Sequence, residues 1–311
     1  MFSRLSELIS DEVPVFFYTD FKGERLMCYP LNELPLHDIE FSFHAEPSQD
    51  NFPHKPTSFP VSYDTYREKY ERIQEEIRSG NTYLLNLTQP TLLDTSYTLK
   101  EIYTMAHAPF KVRVKEEFVS FSPEPFVTIG DNTIHTFPMK GTIDASIPDA
   151  IQTILNNPKE TAEHTMIVDL LRNDLGIVGN NVRVEKFRFI TTIDTGEKKL
   201  HQVSSHISAA LPDTWKENAG ELLRNLLPAG SISGTPKRKT VEIIEKVEGY
   251  QRGNFTGVFG YYDGKTLYSA VAIRYIENKG GRLYYKSGGG ITAESECMAE
   301  YQEMIDKIYI P

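Results

Sequence analysis

Five side chains in this sequence are spaced as chemistry on a small anion would require. Lys140 lies in "TFPMKGTIDAS" (136–146), after apolar and β-branched residues and before a Gly-Thr turn, so it sits where a strand ends. By itself that stretch fits either a solvated turn lysine or an amine placed for function. Glu160 and Glu163 are three residues apart in one predicted helix, and Glu300 and Glu303 repeat the spacing in another, so each pair shares a helix face. Such pairs are either two solvated faces or, if they meet, a set of hard oxygen donors. In a shared pocket they would repel one another unless a cation such as Mg²⁺ lay between them.

Two glycine-rich segments could hold the anion. "AGSISGTPK" (229–237) leads into a helix whose first N–H groups can bind a carboxylate or phosphate, although its spacing is not that of a Walker loop. "SGGGI" (287–291) follows a strand and permits close approach to the backbone. Each is equally compatible with a tight turn. Arg274 lies in the predicted strand "VAIRYIE" among apolar and aromatic neighbours, where a guanidinium needs an anionic partner. A substrate carboxylate would supply one.

The elements that must position these groups alternate along the chain. Residues 1 to about 60 read as short strands and loops, with "HAEPSQDNFPHKPTSFP" as a linker or irregular edge. Tyr66, Tyr70, Ile73 and Ile77 fall at helical spacing, with Gly80 placed to end that helix, and "TYLLNLT" follows as a strand. "FKVRVKEEFVSFSPEPFVTIG" and "NTIHTFPM" alternate as strands. "DAIQTILNNP" and "KETAEHTMIVDLLRNDLG" read as helices, the second running from Pro158 to Gly176. Two long strands, two helices, three strands from "GVFGYYDG" to "SGGG", and a closing helix "CMAEYQEMIDKIYI" complete the pattern. This order predicts an α+β fold, a large single catalytic domain of mainly antiparallel sheets with surrounding helices. Residues 1–62 form a strand-and-loop region packed on a core of residues 63–311.

Bulk composition narrows the classes. The 311 residues are 40% hydrophobic and 24% charged, which suits a globular chain. A net charge of −10 without a Lys/Arg block argues against nucleic-acid binding. There is no signal-like start and no apolar run long enough to span a membrane, so no membrane partner and a cytoplasmic location are expected. Two cysteines, Cys28 and Cys297, give neither a disulfide framework nor a thiolate metal site.

Taken together, "AEHTMIVDLLRNDLG", "GSISGTPKRKTVEIIEKVEGYQRGNFTGVFGYYDG", "VAIRYIE" and "SGGGITAESECMAEYQEMIDK" resemble the chorismate-utilising enzymes, in the family's order, over about residues 63–310. That family includes anthranilate, aminodeoxychorismate, isochorismate and salicylate synthases, and the resemblance implies chorismate as substrate and Mg²⁺ as cofactor. In "PMKGT", Lys140 stands where the anthranilate synthases carry alanine and the aminodeoxychorismate synthases carry lysine; Met139 replaces the usual isoleucine. The resemblance therefore implies that Lys140 attacks C2 of chorismate and that ammonia then adds at C4. Such an amine must be neutral, which requires a pKa lowered by burial or nearby cations.

The other roles are implied in the same way. Glu124 in "FSPEPF" matches the family's general acid/base. Glu163 and Glu303 match direct Mg²⁺ ligands, and Glu160 and Glu300 match ligands acting through water. Thr142, Ser231, Ser233, Gly234, Lys237, Arg274, Gly289 and Gly290 match the segments that hold substrate and metal. His201 in "LHQVSSHI" matches a pocket histidine, with Gln202 where leucine is usual. Leu84 stands where relatives carry glutamine or a water-activating lysine, which argues against the hydrolytic branches, and Phe255 replaces a hydrogen-bonding aromatic. The N-terminal region is shorter than in relatives, so no tryptophan feedback site is expected. Neither cysteine lies in an amidotransferase setting, so ammonia is expected from a separate glutamine amidotransferase subunit or from solution. Amination at C2 in the manner of anthranilate synthase component I, or chorismate binding without turnover, are the alternatives. Retention of Glu124, Lys140 and all four helix glutamates speaks for catalysis.

Overall fold

The computed structural model describes residues 1–44, 56–194 and 199–311. The elements begin with α1 (Phe2–Ser10), β1 (Val15–Thr19), β2 (Leu26–Pro30), β3 (Ile39–Ser42), β4 (Thr57–Phe59) and α2 (Tyr63–Arg78). Next come β5 (Leu84–Asp94), α3 (Leu99–Met105), β6 (Phe110–Val114), β7 (Phe118–Ser122), β8 (Pro125–Gly130), β9 (Thr133–Thr136) and β10 (Met139–Asp144). They continue with α4 (Ala150–Asn156), α5 (Pro158–Val178), β11 (Asn180–Asp194), β12 (Lys199–Ala210), α6 (Ala219–Leu226), β13 (Gly234–Thr235) and α7 (Lys237–Glu248). The chain closes with β14 (Val258–Tyr262), β15 (Leu267–Val271), β16 (Tyr275–Lys279), β17 (Arg282–Ile291) and α8 (Cys297–Asp306).

Two sheets result, and every strand pair among the described residues is antiparallel. One has the order β10-β12-β9-β8-β15-β14-β1-β2, with β11 on β12; the other has β13-β5-β17-β16-β7-β6-β3, with β4 on β5. The α+β class with mainly antiparallel sheets is as the sequence predicts.

Packing follows the apolar spacing. Tyr66, Tyr70, Ile73 and Ile77 form the buried stripe of α2, and Gly80 follows its C-cap at φ +72°. With residues of α1, α5, α6 and α7 they join the largest core cluster, against β8, β9, β12 and β14. A second cluster lies where the sheets face each other, with Phe16, Phe259 and Ala270 against Val112, Val114 and Phe118. A third, around Leu99, Ile102, Phe121 and Tyr285, packs α3 on the second sheet.

Five expectations need correction or limit. The first residues are a helix, because Leu5, Leu8 and Ile9 sit at helical spacing and bury their face beside α6. Helix α5 runs through Gly176 and ends at Gly179, where Ala210 and Leu175 crowd the backbone. The last sheet segment is four strands, not three, because the chain changes sheets between Val271 and Tyr275. Arg274 is thus in a left-handed crossover at φ +50° rather than in a strand. Most of the expected linker, residues 45–55, lies outside the described residues.

Candidate active site

A β-bulge aims Lys140. Strand β10 pairs with β12 at Met139↔Ser204, and the register then shifts before Thr142↔Gln202. Lys140 and Gly141 there oppose the single Val203, one residue more than the partner strand, and Gly141 takes φ +94°. A Cβ on Gly141 would stand 2.9 Å from Glu160 Oε2, so only glycine lets α5 approach this closely. Asn157 caps α5 by accepting from the Glu160 N–H, and Pro158 opens the helix, which places Glu160 and Glu163 in its first turns. Lys140 Nζ then lies 2.8 Å from Glu163 Oε2. Burial opposes charge on Lys140, but Glu163, with Glu303 and Glu160 behind it, outweighs that and holds the ammonium above the usual lysine value. The expected lowered pKa is not found: in this arrangement Lys140 is protonated.

Glu124 and Arg274 share a seam. Strand β7 leaves the second sheet through Pro123 and Glu124 to become β8 of the first, and β15 returns to the second through Ala272–Arg274 to become β16. Because β7 pairs with β16 and β8 with β15, the two crossovers lie side by side. Val271 N–H donates to Glu124 O at 3.1 Å, and Phe121 N–H to Arg274 O at 3.1 Å. Ser231 Oγ donates to Glu124 Oε1. Burial raises the Glu124 pKa, against the opposing pull of that hydrogen bond and of Arg274, Lys307 and Lys140. The group is therefore biased toward a proton-carrying acid.

The seam opens into a cavity of about 180 Å³. Glu124, Lys140, Ser231, Ser233, Gly234, Arg274, Gly289, Gly290 and Glu303 line it. Strand β17 runs beside β5 with Gly289↔Leu87 and Gly290↔Asn86, so the glycine run forms one wall. A Cβ on Gly234 would lie 1.9 Å from Leu84 O, which explains glycine at φ +134° there. Leu84 and Phe255 also line the cavity, as apolar surface.

The four helix glutamates come to this end of the cavity. A Cβ on Gly289 would be 3.4 Å from both Glu300 Oε2 and Glu303 Oε1. Ser295 Oγ donates to Glu300 Oε1 at 2.7 Å, and Lys307 Nζ lies 2.5 Å from Glu303 Oε1. Among the described residues no three carboxylates or imidazoles converge on one point as they stand; the Lys140 and Lys307 ammonium groups hold Glu163 and Glu303. The donors suit a hard divalent cation, being all carboxylate, and Glu160 Oε2 is buried without a hydrogen-bond partner.

Three predicted residues lie elsewhere. Thr142 is exposed beyond the bulge. His201 sits opposite Ile143, with Nδ1 3.0 Å from Thr192 Oγ1. Lys237 does not line the cavity: its Nζ lies 2.7 Å from the buried Asp174 and donates to Leu226 O at 3.1 Å. That pair ties the 229–237 segment to α5.

Sequence reasoning passed over Lys307, Lys286 and His164. Lys307 lines the cavity and donates to Gly288 O at 2.9 Å; its spacing of four from Glu303 was the available signal. Lys286 lines it too, buried against Glu277 at 2.8 Å. His164 is fully buried behind the bulge, Nε2 2.7 Å from Ser205 Oγ, and burial lowers its pKa.

Comparison with known proteins shows the family. The profile of the chorismate binding enzyme family matches residues 26–311. The chain is 44% identical to an uncharacterized PabA-like protein of Haemophilus influenzae, over 96% of this chain and 92% of that one. It is 36% identical to aminodeoxychorismate synthase component 1 of Klebsiella aerogenes, over 80% of this chain but only 57% of that relative. Among solved structures, anthranilate synthase component I from Streptococcus pneumoniae superposes with a TM-score of 0.71 at 25% identity, covering 84% of this chain and 60% of that one.

Proposed function

This chain belongs to the chorismate binding enzymes, and we propose that it converts chorismate and ammonia to 4-amino-4-deoxychorismate and water through a covalent bond to Lys140. The observation that carries the reading is an amine, Lys140, and a carboxyl of raised pKa, Glu124, lining one cavity with Arg274.

Lys140 must lose a proton before it can attack, and its hydrogen bond to Glu163 gives that proton a path. The free amine bonds to C2 of chorismate. The ring double bonds shift, and the C4 hydroxyl leaves as water with the proton of Glu124. Ammonia then adds at C4 and returns a proton to Glu124, the double bonds shift back, and the C2–N bond to Lys140 breaks, the departing amine recovering its proton from Glu163. Ser231 holds one Glu124 oxygen and so fixes the face from which the proton is delivered. Arg274 and the glycine wall bind the substrate carboxylates. Mg²⁺, held by Glu160, Glu163, Glu300 and Glu303, would neutralise substrate carboxylate charge at that end. Leu84 offers no base for water, which favours ammonia as the nucleophile at C4. A glutamine amidotransferase subunit would supply that ammonia, and a lyase acting on the product would lead to 4-aminobenzoate and folate.

The test is incubation with chorismate, Mg²⁺ and ammonium, with mass analysis of the product. The expected product keeps the enolpyruvyl group and exchanges hydroxyl for amine. Anthranilate and pyruvate would move the assignment to the C2-aminating branch. Chorismate bound but unchanged would leave a binding protein.

A further inference from the structure

The segment after α8 is fastened to the cavity wall at successive residues. Lys307 Nζ donates to Gly288 O at 2.9 Å. Ile308 and Ile310 pack on the third core cluster. Tyr309 O accepts from Tyr285 Oη at 2.9 Å, and Pro311 O accepts from His107 N–H at 2.7 Å. This anchoring brings the Tyr309 ring, itself 49% exposed, to 5.2 Å from the guanidinium carbon of Arg274.

Arg274 needs such a neighbour. It sits at φ +50° in the sheet crossover, its Nε is buried without a hydrogen-bond partner, and no carboxylate among the described residues lies within ion-pairing distance. The Tyr309 ring and its hydroxyl, which hydrogen-bonds to the guanidinium, together restrict its rotation and leave its remaining N–H donors for a carboxylate. We propose that Tyr309 is a positioning residue for the substrate-binding site, holding Arg274 in the orientation that receives a carboxylate of the ligand. The ligand, chorismate, rests on the functional reading above; the clamp itself rests on the geometry alone.

The two are separated by two measurements on the full chain. Arginine side-chain NMR without ligand reads the clamp. A ring-current-shifted signal, assigned by its loss in Arg274→Lys, should move to an ordinary position in Tyr309→Leu and move less in Tyr309→Phe, which retains the ring. Calorimetric titration with chorismate reads the consequence: Tyr309→Leu should weaken binding about fivefold, and Tyr309→Phe, which keeps the ring but loses the hydroxyl contact, should fall between Tyr309→Leu and wild type. In an Arg274→Lys background, Tyr309→Leu should have little further effect, since the two act as one unit. Its thermal midpoint should be close to wild type, because the ring is half exposed. An unshifted arginine spectrum in the wild type overturns the clamp. Unchanged chorismate affinity in Tyr309→Leu, or the same loss with and without Arg274, overturns its role. No chorismate binding by the wild type overturns the functional reading, and the NMR result still decides the clamp.

Discussion

Lys140 Nζ and Glu163 Oε2 lie 2.8 Å apart, so the candidate nucleophile and a candidate metal ligand share one hydrogen bond. The amine cannot attack while Glu163 keeps it protonated, and Glu163 cannot give its full charge to a cation while it serves the amine. In the proposed mechanism, metal binding and nucleophile activation would therefore be coupled through this one contact.

Removal of Glu163 or Glu303 tests that coupling. Glu163→Gln and Glu303→Gln should each lose activity by a factor on the order of 10² or more and need more Mg²⁺ for half-maximal rate. Initial rates across a Mg²⁺ titration measure both. Wild-type rates at ordinary Mg²⁺ in either variant would remove these carboxylates from the metal site.

The pH profile tests Glu124. The proposed reaction needs neutral Lys140 and protonated Glu124; Lys140 is held above 10.5, and Glu124 is raised from 4.5. Where the carboxyl titrates below the amine, loss of acid with rising pH cancels gain of amine, and kcat/KM is flat between the two values. In Glu124→Gln only the amine titrates. Its kcat/KM should be lower by roughly 10²–10⁴ and should climb with pH across the wild-type plateau. A variant that keeps the plateau shows that Glu124 is not the acid.

How much of this was readable beforehand differs by link. Helix α2 was legible because its stripe repeats every three or four residues and a glycine ends it. Helix α1 was not, although Leu5, Leu8 and Ile9 sit at helical spacing, since nine residues are too few to hold a helix by themselves and its face is buried beside α6. Arg274 was misplaced in a strand because its flanking residues favour β structure, and only the tertiary handover between sheets breaks it. Lys140, Glu124, Arg274 and the glycine run were legible as a set through their motifs. Lys237 lies in such a motif but turns away, because Asp174 on α5 captures its ammonium, and no local pattern announces that long-range pair.

That pair makes its own prediction. Burial raises the Asp174 pKa from 3.8 although Lys237 opposes the rise. A raised carboxyl binds its proton more tightly folded than unfolded, so it favours folding at acid pH and disfavours it as pH rises through the folded value. Lys237→Met removes the cation that opposes this rise and leaves the carboxylate buried and unpaired. It should cost about 3–5 kcal/mol at pH 7, and clearly less at pH 5, where the carboxyl can take up a proton. Denaturant midpoints at both pH values measure this; an equal loss at each would mean that the pair carries no such cost.

Lys140 decides the functional reading. As an ammonium beside Glu163 it could be merely an electrostatic partner for a substrate carboxylate, or it could be the nucleophile. Lys140→Ala should fold, since the side chain is 32% exposed at the cavity edge. It should still bind chorismate but lose C4 amination by a factor on the order of 10³ or more. Lys140→Arg keeps the charge and the contact to Glu163, so it would preserve a purely electrostatic role. It should nevertheless be as inactive as alanine, because a guanidinium stays protonated and cannot attack. Wild-type protein given chorismate and Mg²⁺ without ammonia should carry an adduct on the peptide containing Lys140, read by mass spectrometry after rapid quenching. Near wild-type production of 4-amino-4-deoxychorismate by the arginine variant would reduce Lys140 to a charge, and by the alanine variant would remove it from the reaction. A C2-aminated product from the alanine variant would identify this side chain as what selects the carbon that ammonia attacks.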